Sequence, residues 1–274
     1  MVATRPRRVL AVTGGHSFDL EAFRGLLDHV CDEHEMVWAH SVQPAAQQWL
    51  TGDAPFDAVL LHDICGLHLK RGEPPRPIDP APEVQARLLG LLAFGTGLVV
   101  LHHALASWPS WDGWADSIGG RFFYAPGELH GSEWPSSGTR IETYEAQVVA
   151  PGHPVCAGVD NFTLTDELYC CPVLEDRIVP LVRSNADFSA AHFISTYEHV
   201  IVGESAAPRC DGHPPPSNVI SWATSAGRSP IVFIQPGDSA ATFALDGYRG
   251  LVGNALDWVT SPAARSWAAE RSFD

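Results

Sequence analysis

Three runs ahead of His102 are apolar without interruption: VLAV in RRVLAV, AVLL in FDAVLLHD, and LVVL immediately before the histidine. A strand with one wet face alternates apolar and polar residues. A strand with no alternation must be covered on both faces, as in a parallel sheet packed between helices. The segments between the runs supply such helices. Asp19 can cap LEAFRGLLDHVCDEH, MVWAH is a short second strand, and PAAQQWL reads as a brief helix with Pro44 near its first turn. After the third run, GLHLKRGEPPRPIDPAP is too rich in proline to be anything but loop. The helix EVQARLLGLLAF follows and stops at Gly95 and Gly97. This βαβαβαβ order predicts an α/β fold with a doubly wound, mostly parallel sheet.

The second half is richer in short extended pieces. RIETYEAQVV is expected as an edge strand, and FTLTDELY, RIVPLVR, HVIVGES and NVISWAT as further strands. PIVFIQ and the helix YRGLVGNALDWV close the chain. No internal repeat and no linker-like composition divides it, so residues 1–274 are read as one domain with a β-rich excursion. A net charge of −15 repels phosphate backbones and anionic lipid, which argues against nucleic-acid and membrane partners. No apolar run approaches a signal h-region or a membrane span, so a cytoplasmic protein is expected. The six cysteines show no CxxC spacing and read as reduced structural thiols.

In open parallel sheets, ligands bind beyond the carboxyl ends of the strands. Polar residues stand at such ends here: His16 after the first strand, His62 and Asp63 after the third, His102 and His103 after the fourth, and Asp238 in the turn QPGDS. Histidines and carboxylates converging on one edge would suit proton transfer or metal binding. The bland alternative is that each histidine merely bonds a nearby carbonyl. His29, His34, His40, His68, His192, His199 and His213 take that reading. Trp108, Trp111 and Trp114 read as a buried helix face, with Trp108 kept as a candidate for stacking on a sugar ring.

The stretches VTGGHSFDLEAFRGLL, FDAVLLHDICG, GTGLVVLHHALASWPSW with IGGRF, HPVCAGVDNFTLTDELY and PIVFIQPGDSAATFALDGYRGLVGNALDWV follow one another from about residue 8 to residue 260. Together they resemble the ThuA-like (trehalose-utilisation) family. The resemblance implies a flavodoxin-like, class I glutamine amidotransferase-like fold and a link to carbohydrate metabolism. It places the family's strand-closing histidine on His102, its HP on His153 and Pro154, and its DExY on Asp166, Glu167 and Tyr169. The aspartate after the third strand falls on Asp63. The family's PGH turn reads PGD here, so Asp238 stands where a histidine is usual. Amidotransferases of this fold carry a nucleophilic cysteine at the turn occupied here by His102, His103 and Ala104, so glutaminase chemistry is not expected.

The resulting expectation is an enzyme acting on a sugar or keto-sugar-like small molecule by isomerisation, elimination or hydrolysis. His102 would be the acid/base, assisted by Asp166 or Glu167, with His16, Asp63, His103, Trp108, His153, Tyr169 and Asp238 binding substrate. An alternative adds a divalent metal, with His16, His102 and His103 as candidate ligands. A third reading is a non-catalytic sugar- or partner-binding module. No nucleotide cofactor is expected, because no phosphate-cradling loop such as GxxxxGK[ST] is present. Apolar C-terminal helices of this fold often pack on a second subunit, which makes a homo-oligomer a candidate assembly.

Overall fold

The computed structural model describes residues 5–42, 56–203 and 207–271; the helix expected at PAAQQWL lies outside them. The chain begins with β1 (Arg7–Gly14), α1 (Leu20–Glu33), β2 (Met36–Val42) and β3 (Ala58–Asp63). The proline-rich segment that follows is mostly loop but carries a two-rung ladder of β4 (Leu67–His68) and β5 (Arg76–Pro77). Next come α2 (Pro82–Phe94), β6 (Gly97–Leu101), α3 (Asp112–Ile118) and a small hairpin of β7 (Gly127–Leu129) and β8 (Ser132–Trp134). The remainder is β9 (Gly138–Val148), β10 (Phe162–Cys170), β11 (Val179–Ser184), β12 (Ile194–Ser195), α4 (Thr196–Val202), β13 (Val219–Ala226), β14 (Ser229–Ile234), α5 (Ala240–Phe243), α6 (Asp246–Val259) and α7 (Pro262–Glu270).

One sheet runs in the order β10-β9-β11-β13-β14-β6-β3-β1-β2, with β12 paired to β9. Its β2-β1-β3-β6-β14 block is parallel throughout, in the flavodoxin-like order. Successive residues of each central strand feed opposite faces, as the strand period requires. Val9, Ala11, Leu60 and Val99 join Phe23, Leu27, Val252 and Leu256 in one core under α1 and α6. Leu10, Val12, Leu61 and Leu98 join Leu88, Leu92, Trp114 and Ile118 in the other, under α2 and α3. Helices on both faces are therefore what lets the runs be apolar at every position. Asp19 caps α1 as expected, its carboxylate accepting the Ala22 N–H at 2.9 Å.

From β14 outward the pairings are antiparallel, and this block is the β-rich excursion. Register shifts in β11 at Pro180/Val182 and Val182/Arg183 bend it. Its outer strand thereby reaches the carboxyl ends of the parallel block: the Gln235 amide donates to the Glu167 carbonyl at 3.4 Å, beyond the end of β14.

Three local expectations are corrected. RIETYEAQVV lies in an interior strand, since β9 has β10 on one side and β11 on the other. The described part of HVIVGES, residues 199–203, is not extended: its first residues end α4, where the Gly72 N–H donates to the Val200 carbonyl at 2.9 Å. Helix–strand propensity differences for Val and Ile are only tenths of a kcal/mol, and tertiary contacts override them. The three tryptophans do not share a helix face, because α3 begins at Asp112 and Trp108 precedes it in a left-handed turn with φ +50°.

Candidate functional site

β6 ends at Leu101, and the chain turns at once into a short 3-10 segment, His102–Ala106. His102 takes up the turn with φ +50°, a conformation that costs a non-glycine residue about 1–3 kcal/mol and persists only where the surroundings enforce it. The enforcing contacts are polar. The Gln235 carbonyl lies 2.7 Å from His102 Nδ1. A carbonyl can only accept, so Nδ1 carries the proton and Nε2 presents its lone pair. The Tyr169 hydroxyl sits 2.9 and 3.1 Å from the two ring nitrogens.

That lone pair faces two carboxylates, Asp238 Oδ1 at 3.5 Å and Glu167 Oε2 at 3.6 Å. His103 Nε2 lies 3.9 Å from the same Glu167 oxygen. One atom from each of His102, His103, Glu167 and Asp238 fits within a cluster no wider than 4.8 Å. The elements responsible are far apart in sequence: the β6 turn, the end of β10 and the turn after β14. Glu167 and Tyr169 share a face of β10 because they are two residues apart. The His102 ring itself is fully buried, so the hollow meets solvent through Asp238, Glu167 and His103, of which Asp238 is the most exposed.

Asp238 is carried on a turn that needs its glycine. Gly237 has φ +141°, and a Cβ there would lie 2.8 Å from the Tyr248 hydroxyl and 3.5 Å from His102 Cβ. Beneath the turn, His62 Nε2 lies 3.1 Å from the Gly237 carbonyl, and its ring stacks on Phe23 at 4.9 Å. His16 reaches over from the end of β1 and stacks on His103 at 4.5 Å. The variant Gly237→Ala is expected to push the turn away from His102, costing about 1–3 kcal/mol of stability by denaturant titration.

The electrostatics separate the groups. Burial, reinforced by neighbouring imidazoles, lowers the pKa values of His16, His62 and His103 and keeps these rings neutral. Burial would lower His102 too, but Asp238, Asp166 and Glu167 outweigh it and its pKa is raised. His102 in turn holds Asp238 below the usual carboxylate range despite partial burial. Burial pushes Glu167 up to about 7, against the pull of His102. Two buried atoms in the cluster, Glu167 Oε2 and His103 Nδ1, have no hydrogen-bond partner among the described residues. The space between His102 Nε2 and the carboxylates thus favours positive charge, whether a proton or a metal ion.

Other expected residues lie elsewhere. Asp166 makes no direct contact with His102: its buried carboxylate accepts the N–H of Glu167 at 2.8 Å, those of Gly237 and Asp238 at 3.3 Å, and the Thr242 hydroxyl. It holds the turn that carries Asp238. Trp108 is packed in the core against Gly66, where a Cβ would come within 2.5 Å of its ring, so it offers no open face for a sugar. His153 lies at the opposite edge of the sheet. It stacks edge-on to Trp258 at 4.7 Å, next to Val259, which covers Gly97 at the start of β6. Asp63 closes β3, and its carboxylate accepts the Cys65 thiol at 3.2 Å. Gln235, which fixes the His102 tautomer, acts through its backbone carbonyl and so left no signal in the sequence.

The sequence profile described as ThuA, trehalose utilisation, matches residues 69–259. No curated protein matches the sequence. Among solved structures, the chain is similar to a putative ThuA-like protein from Parabacteroides merdae, with 15% identity over 94% of this chain and 91% of that one and a TM-score of 0.66. A second putative ThuA-like protein, from Bacteroides uniformis, gives 13% identity over 94% and 93% of the chains and a TM-score of 0.63. Identities this low establish a shared fold.

Proposed function

The chain belongs to the ThuA (trehalose-utilisation) family, and from that premise we propose that it is a divalent-metal-dependent enzyme acting on a sugar or keto-sugar as a lyase, isomerase or hydrolase. The observation that carries this reading is the spacing around His102 Nε2. Two nitrogens and two carboxylates converge within 4.8 Å, yet the separations of 3.5, 3.6 and 3.9 Å are too long for well-formed hydrogen bonds. Ligand atoms set tetrahedrally about 2.1 Å from one ion lie about 3.4 Å apart, close to these spacings. The Nδ1–H of His102 is bonded to a carbonyl, the arrangement that commonly orients a metal-bound imidazole. Imidazole with carboxylate suits Zn, Mn or Fe. Such an ion would act as a Lewis acid on a substrate hydroxyl or carbonyl.

A second reading keeps a proton in place of the ion. The approach of His102 to Asp238 at 3.5 Å supports it, with His102 as the general acid and Glu167 as its partner. One experiment separates the two. Keto-sugars and their parent disaccharides are incubated with the protein and followed by NMR, before and after chelation and with Mn or Zn restored. Turnover abolished by chelation and recovered with the ion is the expected result. Turnover indifferent to the chelator would leave the proton-only reading.

A further inference from the structure

Beside His103 and Glu167 opens a cavity of about 340 Å³ that the reaction centre does not fill, within the range of small-molecule sites. One wall is the loop segment Leu69–Arg71 and another is α4, joined by the bond from the Gly72 N–H to Val200. Into it the fold brings Lys70, Arg71, Thr139, Thr196 and His199. We propose that this cavity binds the anionic group, carboxylate or phosphate, of a sugar acid or sugar phosphate whose polyol end reaches the His102 cluster. The proposal rests on reading that cluster as the reaction centre.

Three observations support it. First, the chain has 17 basic against 32 acidic residues, yet two consecutive cations line this cavity. Lys70 pairs with Glu73, while Arg71 makes no ion pair among the described residues. A guanidinium fork matches a carboxylate or phosphate in shape as well as charge. Second, the Thr196 side chain is 6% exposed and its hydroxyl has no hydrogen-bond partner among the described residues. A hydroxyl buried in that way costs stability unless something bonds it, and an anionic oxygen can accept its proton. Third, among the described residues the only carboxylate lining the cavity is Glu167, which belongs to the cation-seeking cluster. The lining thus joins two cations, Lys70 and Arg71, to the His103 and Glu167 members of the cluster. His199, expected only to bond a nearby carbonyl, also lines this wall.

The test is calorimetric titration of the purified protein with D-glucuronate, D-glucose 6-phosphate and D-glucose at low salt. At least one anion is expected to bind about tenfold or more tightly than glucose, more weakly as NaCl rises. The two anions distinguish a carboxylate from a phosphate site. Arg71→Ala with Lys70→Ala should remove most of that preference. Thr196→Val should weaken anion binding and Thr196→Ser restore it, since serine keeps the hydroxyl without altering the fold. Equal binding of glucose and both anions, or undiminished anion affinity in the Lys70/Arg71 double variant, would overturn the proposal. Metal affinity measured on the same variants keeps the two readings apart. Anion binding lost with metal affinity intact supports the subsite. Anion binding that depends on Arg71 in a protein that takes up no metal leaves the subsite standing and removes the metal.

Discussion

The variant His102→Ala is expected to fold and to bind Mn or Zn about 100-fold or more weakly than the native chain. Losing a group that merely orients a metal ligand already costs 10–100-fold, so losing a ligand should cost at least that. A competition titration against a chromogenic chelator reads the difference directly. The left-handed backbone at residue 102 adds an internal control. His102→Gly removes the same imidazole but relieves the strain, and should be about 1 kcal/mol more stable than His102→Ala. If the imidazole acts by coordination, millimolar free imidazole should restore part of the metal affinity of the glycine variant. Equal affinities in all three proteins would show that the ion, if any, binds elsewhere.

Asp166→Ala is expected to be the most destabilising single change near the site, at about 3–5 kcal/mol. Its buried carboxylate accepts three backbone N–H groups and the Thr242 hydroxyl. Hydrogen bonds to a charged group are worth about 1.5–3 kcal/mol each, and the variant leaves the donors buried without partners. For a chain of this length the melting temperature should fall on the order of 10 °C. Asp166 is a positioning residue, so stability alone does not test its role. Two of those N–H groups belong to Gly237 and Asp238, and metal affinity should fall with the turn's disorder even at temperatures where the variant is fully folded. Asp166→Asn keeps the shape but turns an amide toward the donors, and is expected to lose both stability and metal affinity to an intermediate degree. A folded Asp166→Ala protein with native metal affinity would separate this residue from the site altogether.

The contrast between Asp166 and its neighbour shows what the sequence can carry. The unbroken apolar runs demanded cover on both faces, and that demand is met by Leu60 and Leu61 entering different cores. Edge convergence was legible for the same reason: a parallel block brings the ends of β1, β3, β6 and β14 together, so His16, His102, His103 and Asp238 meet. Asp166 and Glu167 were not separable, because adjacent strand residues face opposite ways and only the register of β10 decides which meets His102. Tyr169 had to follow Glu167 once that register was set. His153 failed on a different ground: a histidine before proline looks the same at either edge of a sheet. The cavity walls at Lys70, Arg71 and Thr196 come from a loop and a short helix whose β-branched residues read as strand, so no local pattern announced them. Trp108, Trp111 and Trp114 have near-helical spacing, but the helix itself begins four residues after Trp108, so spacing alone does not place that ring.

The most direct measurement is anomalous diffraction from crystals of the native chain grown with Mn or Zn. The account predicts one dominant peak within about 2.3 Å of His102 Nε2 and of carboxylate oxygens from Glu167 and Asp238, with His103 completing the set. A map at saturating metal with no peak there, and His102 Nε2 hydrogen-bonded directly to Asp238 instead, would contradict it.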